Sequence, residues 1–186
     1  GGGDADPLIL PDSGRHRAAN RPGACDPQKS AAVALSPHQG RMTMTIDDHR
    51  VTEVGLMNVF VVLRTTSGQV ELVTAPLSGD ILPGVTRRSI LDLARADPAS
   101  VGVDVVSERV FTMPEVVAAS RDGRLLEVFG AGTAAVVCPV REVVYQGSSM
   151  DVPTGGDAGP VASELWRRLS DAHYGRDASG WAVPII

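Results

Sequence analysis

Pro83-Gly84-Val85-Thr86 stands at the entrance of a helix predicted over 85–96. The first amides of a helix have no intrahelical acceptor, and the macrodipole makes that end positive. A threonine hydroxyl adds a donor, and glycine lets a bulky group approach the backbone. This chemistry suits an anion, with phosphate the natural candidate, although Pro-Gly is also a common way of turning a chain into a helix. Gly130-Ala131-Gly132-Thr133-Ala134 is a second small-residue stretch. It can present amides and the Thr133 hydroxyl to a phosphate or carboxylate, or it can simply bend the chain between two strands. Glu53, flanked by Val51, Val54 and Leu56, is a carboxylate whose partial desolvation would call for a cationic partner. A solvated glutamate at a strand end is the plainer reading of the same position.

Other reactive types are sparse. Of the 17 basic side chains only Lys29 is a lysine, so any chemistry that needs an amine rests on that one residue. His16, His38, His49 and His173 lack metal-ligand spacing, and no cysteine pair accompanies them. Cys25 and Cys138 read as two free thiols rather than a disulfide framework. A net charge of −5 gives no overall attraction toward nucleic acid or anionic lipid. No apolar run approaches the roughly 20 residues of a membrane helix, and acids interrupt the arginines of the first 26 residues. The expectation is a cytoplasmic protein.

The elements that must position these residues begin late in the chain. Residues 1–45 contain no aromatic side chain and are repeatedly punctuated by glycine and proline, so this segment is expected to be irregular or disordered. From 46 to 186 the texture is that of a folded domain. The apolar run 59–63 and the segment 70–74 predict a hairpin with a buried first strand. Residues 103–111 are strand-like, and Thr112-Met113-Pro114-Glu115 predicts a capped helix running through Ala119. Strands are predicted at 125–129, 134–140 and 142–146. A last helix begins near Pro160 with Ala162, Leu165, Trp166 and Leu169 on one face and Trp166 in the core. The fold class is mixed α/β.

Read together and in order, VTEVGLMNVFVV, LVTAPLSGDILPGVTRRSILDLAR, VSERVFTMPEV, LLEVFGAGTAAVVCPV and LWRRLSDAHYGR resemble the C-terminal part of the branched-chain amino-acid aminotransferases, which belong to the class IV pyridoxal-phosphate enzymes. The resemblance covers residues from about Arg50 onward. It implies an incomplete C-terminal domain of the class IV fold. It also implies a transaminase acting on leucine, isoleucine or valine with 2-oxoglutarate, using pyridoxal 5′-phosphate, in a family that forms homodimers. By the same resemblance Glu53 pairs with the pyridine nitrogen, Val85 and Thr86 grip the phosphate with Thr133, and the Thr133-Ala134 backbone holds the substrate carboxylate.

The departures carry equal weight. Leu56 stands where relatives have a small or hydroxylated residue. The family's Schiff-base lysine lies upstream of the T-E-V-G motif in a glycine-rich stretch, and Pro27-Gln28-Lys29-Ser30-Ala31 does not match it, so Lys29 is assigned no catalytic role. A chain without that lysine is expected to be inactive by itself and, lacking the rest of its relatives' structure, to expose sheet edges. Two other readings accompany the resemblance. One is a non-catalytic remnant or interaction module retaining part of the phosphate cradle, and the other is a different class IV activity such as D-amino-acid transamination.

Overall fold

The computed structural model describes residues 30–35, 41–47, 49–79, 81–154, 157–176 and 180–181. In chain order the elements are β1 (Ser30–Leu35), β2 (Arg41–Asp47), β3 (Arg50–Val54), β4 (Met57–Arg64), β5 (Val70–Thr74), α1 (Val85–Ala96), β6 (Val105–Glu108), α2 (Met113–Arg121), β7 (Leu125–Gly132), β8 (Val136–Tyr145), β9 (Ser148–Asp151) and α3 (Pro160–His173). This is a mixed α/β architecture. A 3-10 turn at Ala99–Val101 follows α1.

The strands run β3-β2-β1-β8-β7-β4, and β3 then pairs with β4, so six strands close on themselves. The closing bond is local: Gly55, at φ 60°, and Leu56 turn the chain so that Glu53 faces Asn58 and Val54 faces Met57. Farther along the same edge of β4, residues 60–64 pair with β5, and the parallel strand β6 is laid beside β5 by the α1 crossover. Closure removes the open edges expected of a partial domain among these six strands. It also corrects the expectation that residues up to 45 are irregular, because Ser30–Leu35 and Arg41–Asp47 are strands that complete the ring. Their local preference is weak, and pairing with β8 and β3 decides the outcome. Residues 1–29 and 36–40 lie outside the described set, as do Lys29, His16 and His38.

Alternation along β4 divides the interior. Val59, Val61 and Leu63 pack with Val128, Val140 and Val143 and with Met113, Val116 and Ala119 of α2. Phe60 and Val62 point the other way, against Ile90, Leu91 and Ala94 of α1 and Ala162, Leu165 and Leu169 of α3. The Phe60 and Phe129 rings stack across the β4–β7 ladder, with centroids 5.3 Å apart. Full burial of such a side chain is worth about 2–3 kcal/mol.

Each helix has a legible start. The Thr112 hydroxyl accepts from the Glu115 amide and Pro114 occupies the first turn of α2. The α3 amides of Val161 and Ala162 donate to the two carboxylate oxygens of Glu127 on β7, at 2.8 and 2.9 Å. α1 starts at Gly84 with no side-chain cap and no acidic residue in its first turn.

Three expectations shift. The strand-like stretch 103–111 contracts to Val105–Glu108, beyond which Arg109 reaches back to Glu71. The segments 134–140 and 142–146 become the single strand β8, preceded by a turn at 133–135. Trp166, expected in the core, is 51% exposed, because the buried stripe of α3 runs through Val161, Ala162, Leu165, Leu169 and Ala172 and leaves the next position outside.

Candidate functional site

Glu53 is half-buried on β3, facing Asn58 across the tight turn. Its Oε1 accepts the backbone N–H of Leu82 at 2.8 Å and the Asn58 side-chain amide at 3.3 Å. The same Asn58 Nδ2 donates to the Leu82 carbonyl at 2.9 Å. Leu82, Pro83 and Gly84 lead directly into α1, so the carboxylate of β3 is tied to the mouth of that helix. Gly84 is required here by space: a Cβ would stand 2.4 Å from Asn58 Oδ1.

At the mouth Val85 is 82% exposed and Thr86 is half-buried. The first-turn amides carry no side-chain cap, unlike those of α2 and α3. Below them Arg87 is buried, donating to the Ala75 carbonyl at 2.7 Å and to Glu108 at 2.6 Å, which anchors α1 to the ends of β5 and β6. Its positive charge is largely spent on Glu108, which also takes Arg95 at 2.7 Å. Desolvation of the Glu108 carboxyl opposes ionisation, yet the hydrogen bonds from Arg87 and Arg95 hold it below the usual glutamate range.

Thr133 and Ala134 are exposed in the β7–β8 turn. They lie just beyond Ala131, the cross-strand partner of Asn58. Gly130 and Gly132 are not a loop cradle, as the sequence allowed, but ladder residues opposite Cys138 and Val136. Their lack of a side chain makes room for Met57, whose Cε would be 2.7 Å from a Cβ at Gly130. The turn closes at Val136 with φ 56°, a left-handed conformation that is costly for a β-branched residue.

Asn58 therefore links Glu53 to the segment that leads into Val85 and Thr86, while Thr133 and Ala134 lie two and three residues beyond its β7 partner Ala131. A cavity of about 740 Å³ beside α1 is lined by Gly84, Val85, Arg87 and Trp181, but not by Glu53, Thr86, Thr133 or Ala134. Sequence reasoning passed over Asn58, although an amide inside the apolar run of β4 must find buried partners. It also passed over Glu127, whose partners are set by tertiary pairing. Among the described residues no group of His, Cys, Asp and Glu could hold a metal ion.

The donor set fits a phosphorylated, cationic-ring coenzyme in two respects. An uncapped helix start carrying Thr86 favours a phosphate, and a half-buried carboxylate held close to it favours a protonated ring nitrogen. No lysine is present among the described residues.

The profile of the family described as amino-transferase class IV matches residues 38–143. The mitochondrial branched-chain-amino-acid aminotransferase of Schizosaccharomyces pombe is 46% identical over 143 residues, covering 75% of this chain and 33% of that protein. Curated relatives include forms named mitochondrial and cytosolic, and the chain spans about a third of the length of the curated relatives it matches. Among solved structures, the branched-chain aminotransferase of Escherichia coli aligns with a TM-score of 0.58 at 27% identity, over 78% of this chain and 42% of that one. The branched-chain aminotransferase of Thermobaculum terrenum, in its PLP-form, aligns with a TM-score of 0.51 at 25% identity, over 71% of this chain and 36% of that one. No described helix is long and apolar enough to cross a membrane. With a profile match running from β2 through most of β8, the chain belongs to the class IV amino-transferase family.

Proposed function

We propose that this chain is the coenzyme-holding part of a pyridoxal-phosphate-dependent branched-chain amino-acid transaminase, which moves the amino group of leucine, isoleucine or valine to 2-oxoglutarate. The observation that carries the reading is the bond from Leu82 N to Glu53 Oε1, which sets a carboxylate beside an uncapped helix start. When bound, pyridoxal phosphate supplies an electron sink for bonds at the substrate α-carbon. Glu53 would accept a hydrogen bond from the protonated ring nitrogen and so hold the proton on the ring. The amides of Val85 and Thr86, with the Thr86 and Thr133 hydroxyls, donate to the phosphate. The Thr133-Ala134 backbone orients the substrate α-carboxylate. A homodimer, and a cytoplasmic location like that of the relatives named cytosolic, belong to the same reading.

A non-catalytic reading is the alternative, because Lys29 and its neighbours Pro27, Gln28, Ser30 and Ala31 do not match the family's Schiff-base stretch. The two readings separate on the purified chain mixed with pyridoxal phosphate. Tight binding that weakens in Thr86→Val and Glu53→Gln is the expected result, with no peptide labelled at Lys29 after borohydride reduction. Supplying the missing part of the enzyme should then restore transamination. Coenzyme binding indifferent to both substitutions overturns the assignment, and binding that is sensitive to them but gives no turnover after that addition supports the non-catalytic alternative.

A further inference from the structure

Asn58 is 4% exposed in β4, whose first seven residues are all buried, yet its side chain is an amide. Its two neighbours on the Nδ2 side are the Glu53 carboxylate, at 3.3 Å, and the Leu82 carbonyl, at 2.9 Å. Both are acceptors, so the NH2 group must face them and the orientation of the amide is fixed by chemistry. Leu82 N completes a three-residue cycle by donating to Glu53 Oε1 at 2.8 Å. On its other face the amide oxygen rests against Gly84, where a Cβ would be 2.4 Å away, so the last residue before α1 is seated on Asn58. The backbone of Asn58 is held between two strands, opposite Glu53 on β3 and Ala131 on β7. The side chain of Asn58 thus joins the carboxylate to the entrance of the helix, and its backbone ties both to β7, the strand that leads into Thr133.

We propose that Asn58 is a positioning residue that fixes the span between Glu53 and the mouth of α1, so that a ring nitrogen and a phosphate on one ligand are met together. This inference rests on the coenzyme reading given above. Two of the three bonds of the cycle fall on Oε1 of Glu53, and they restrain the carboxylate from rotating. Without the amide, Glu53 and the Leu82–Gly84 segment keep only the single Leu82 N–H bond between them. The consequence is a paired loss: weaker ligand binding, and a weaker hold on the proton of the bound ring.

The test uses pyridoxine 5′-phosphate, which carries the ring nitrogen and phosphate but no aldehyde, and reads both affinity and the ultraviolet pH titration of the bound ring. Asn58→Ala is expected to weaken binding roughly tenfold and to lower the apparent pKa of the bound ring nitrogen by about one unit. Asn58→Asp keeps the shape but replaces the donor by an acceptor beside Glu53, and is expected to lose more in affinity. Gly84→Ala retains Asn58 but displaces its side chain, and is expected to lower the ring pKa in the same direction. It also carries the test if Asn58→Ala fails to fold. A merely structural role would change affinity without moving the titration of the bound ring. Folded Asn58 and Gly84 variants that bind within twofold of the parent chain, with an unmoved ring pKa, overturn the proposal while leaving the role of Glu53 intact. If the parent chain does not bind the probe, or Glu53→Gln leaves the ring pKa unchanged, the coenzyme reading itself fails and the proposal falls with it.

Discussion

Replacing Glu127 by alanine should destabilise the domain substantially, and by an amount that shrinks as pH rises. Glu127 is 3% exposed, and its two oxygens accept the Val161 and Ala162 amides at 2.8 and 2.9 Å. A buried amide left without its acceptor costs about 1–3 kcal/mol, and both amides are left unpaired in the variant. Part of that loss is offset because the variant no longer buries a carboxylate, leaving a net cost of about 2–4 kcal/mol. For a chain of this size that corresponds to a fall in Tm of about 5–15 °C.

The pH dependence has a definite sign. Burial pushes the Glu127 carboxyl above the ordinary glutamate value of 4.5, and the two backbone bonds only partly oppose it. Between the unfolded and folded values the native state binds the extra proton, so the contribution of this group is greatest below 4.5 and declines as pH rises through the folded value. The alanine variant lacks this dependence. Its deficit should therefore be larger at about pH 5 than at about pH 8. Urea unfolding followed by tryptophan fluorescence measures it, since Trp166 lies on α3, the helix that Glu127 caps. A deficit below about 0.5 kcal/mol, or one that grows between those two pH values, refutes the account of this cap.

Three further outcomes are expected. Gly159→Ala would place a Cβ 2.2 Å from Glu127 Cδ and should cost about 1–3 kcal/mol. In combination with Glu127→Ala the two losses should sum to more than the double variant shows, as a double-mutant cycle in urea will reveal. Arg109→Ala strips Glu71, itself 5% exposed, of its bidentate partner, at a cost of about 3 kcal/mol. Arg109 holds the Glu71 carboxyl below the ordinary 4.5, so the parent chain gains this stability above that value and loses it as pH falls through the folded value. The variant's acid-unfolding curve should be correspondingly flatter. Cys138 is buried, with its thiol pushed up by desolvation. In native buffer it should resist a soluble alkylating reagent for as long as the fold persists, as peptide mapping by mass spectrometry will show.

Local signals in the sequence specify local structure well. The Pro83-Gly84 entrance and the spacing of Ile90, Leu93 and Ala94 give α1 its observed limits, although Leu91 rather than Leu93 is the fully buried leucine, and Thr112 and Pro114 start α2 where the capping box places them. The hairpin of β4 and β5 follows from its apolar runs and the Thr65–Gly68 turn. What escapes such reading depends on pairing over distance. Ser30–Leu35 has few β-branched residues and becomes a strand because β2 and β8 flank it. Gly130 looks like a loop residue until Met57 is seen filling the space above it. Trp166 has the spacing of a core residue, but the buried arc of α3 is too narrow to include it. For the candidate site, Glu53, Val85, Thr86 and Thr133 are marked by motif, whereas Asn58 becomes visible only once β3, β4 and the segment before α1 are brought together.

The closed ring has a consequence for how the chain can be cut. β1 and β2 act as the two staves between β8 and β3. A version beginning at Arg50 would keep every motif residue from Glu53 to Thr133 yet leave two rows of bare amides and carbonyls facing outward. Such a molecule would find its missing neighbours in other copies of itself, and would be recovered as stacked aggregate rather than as a monodisperse barrel.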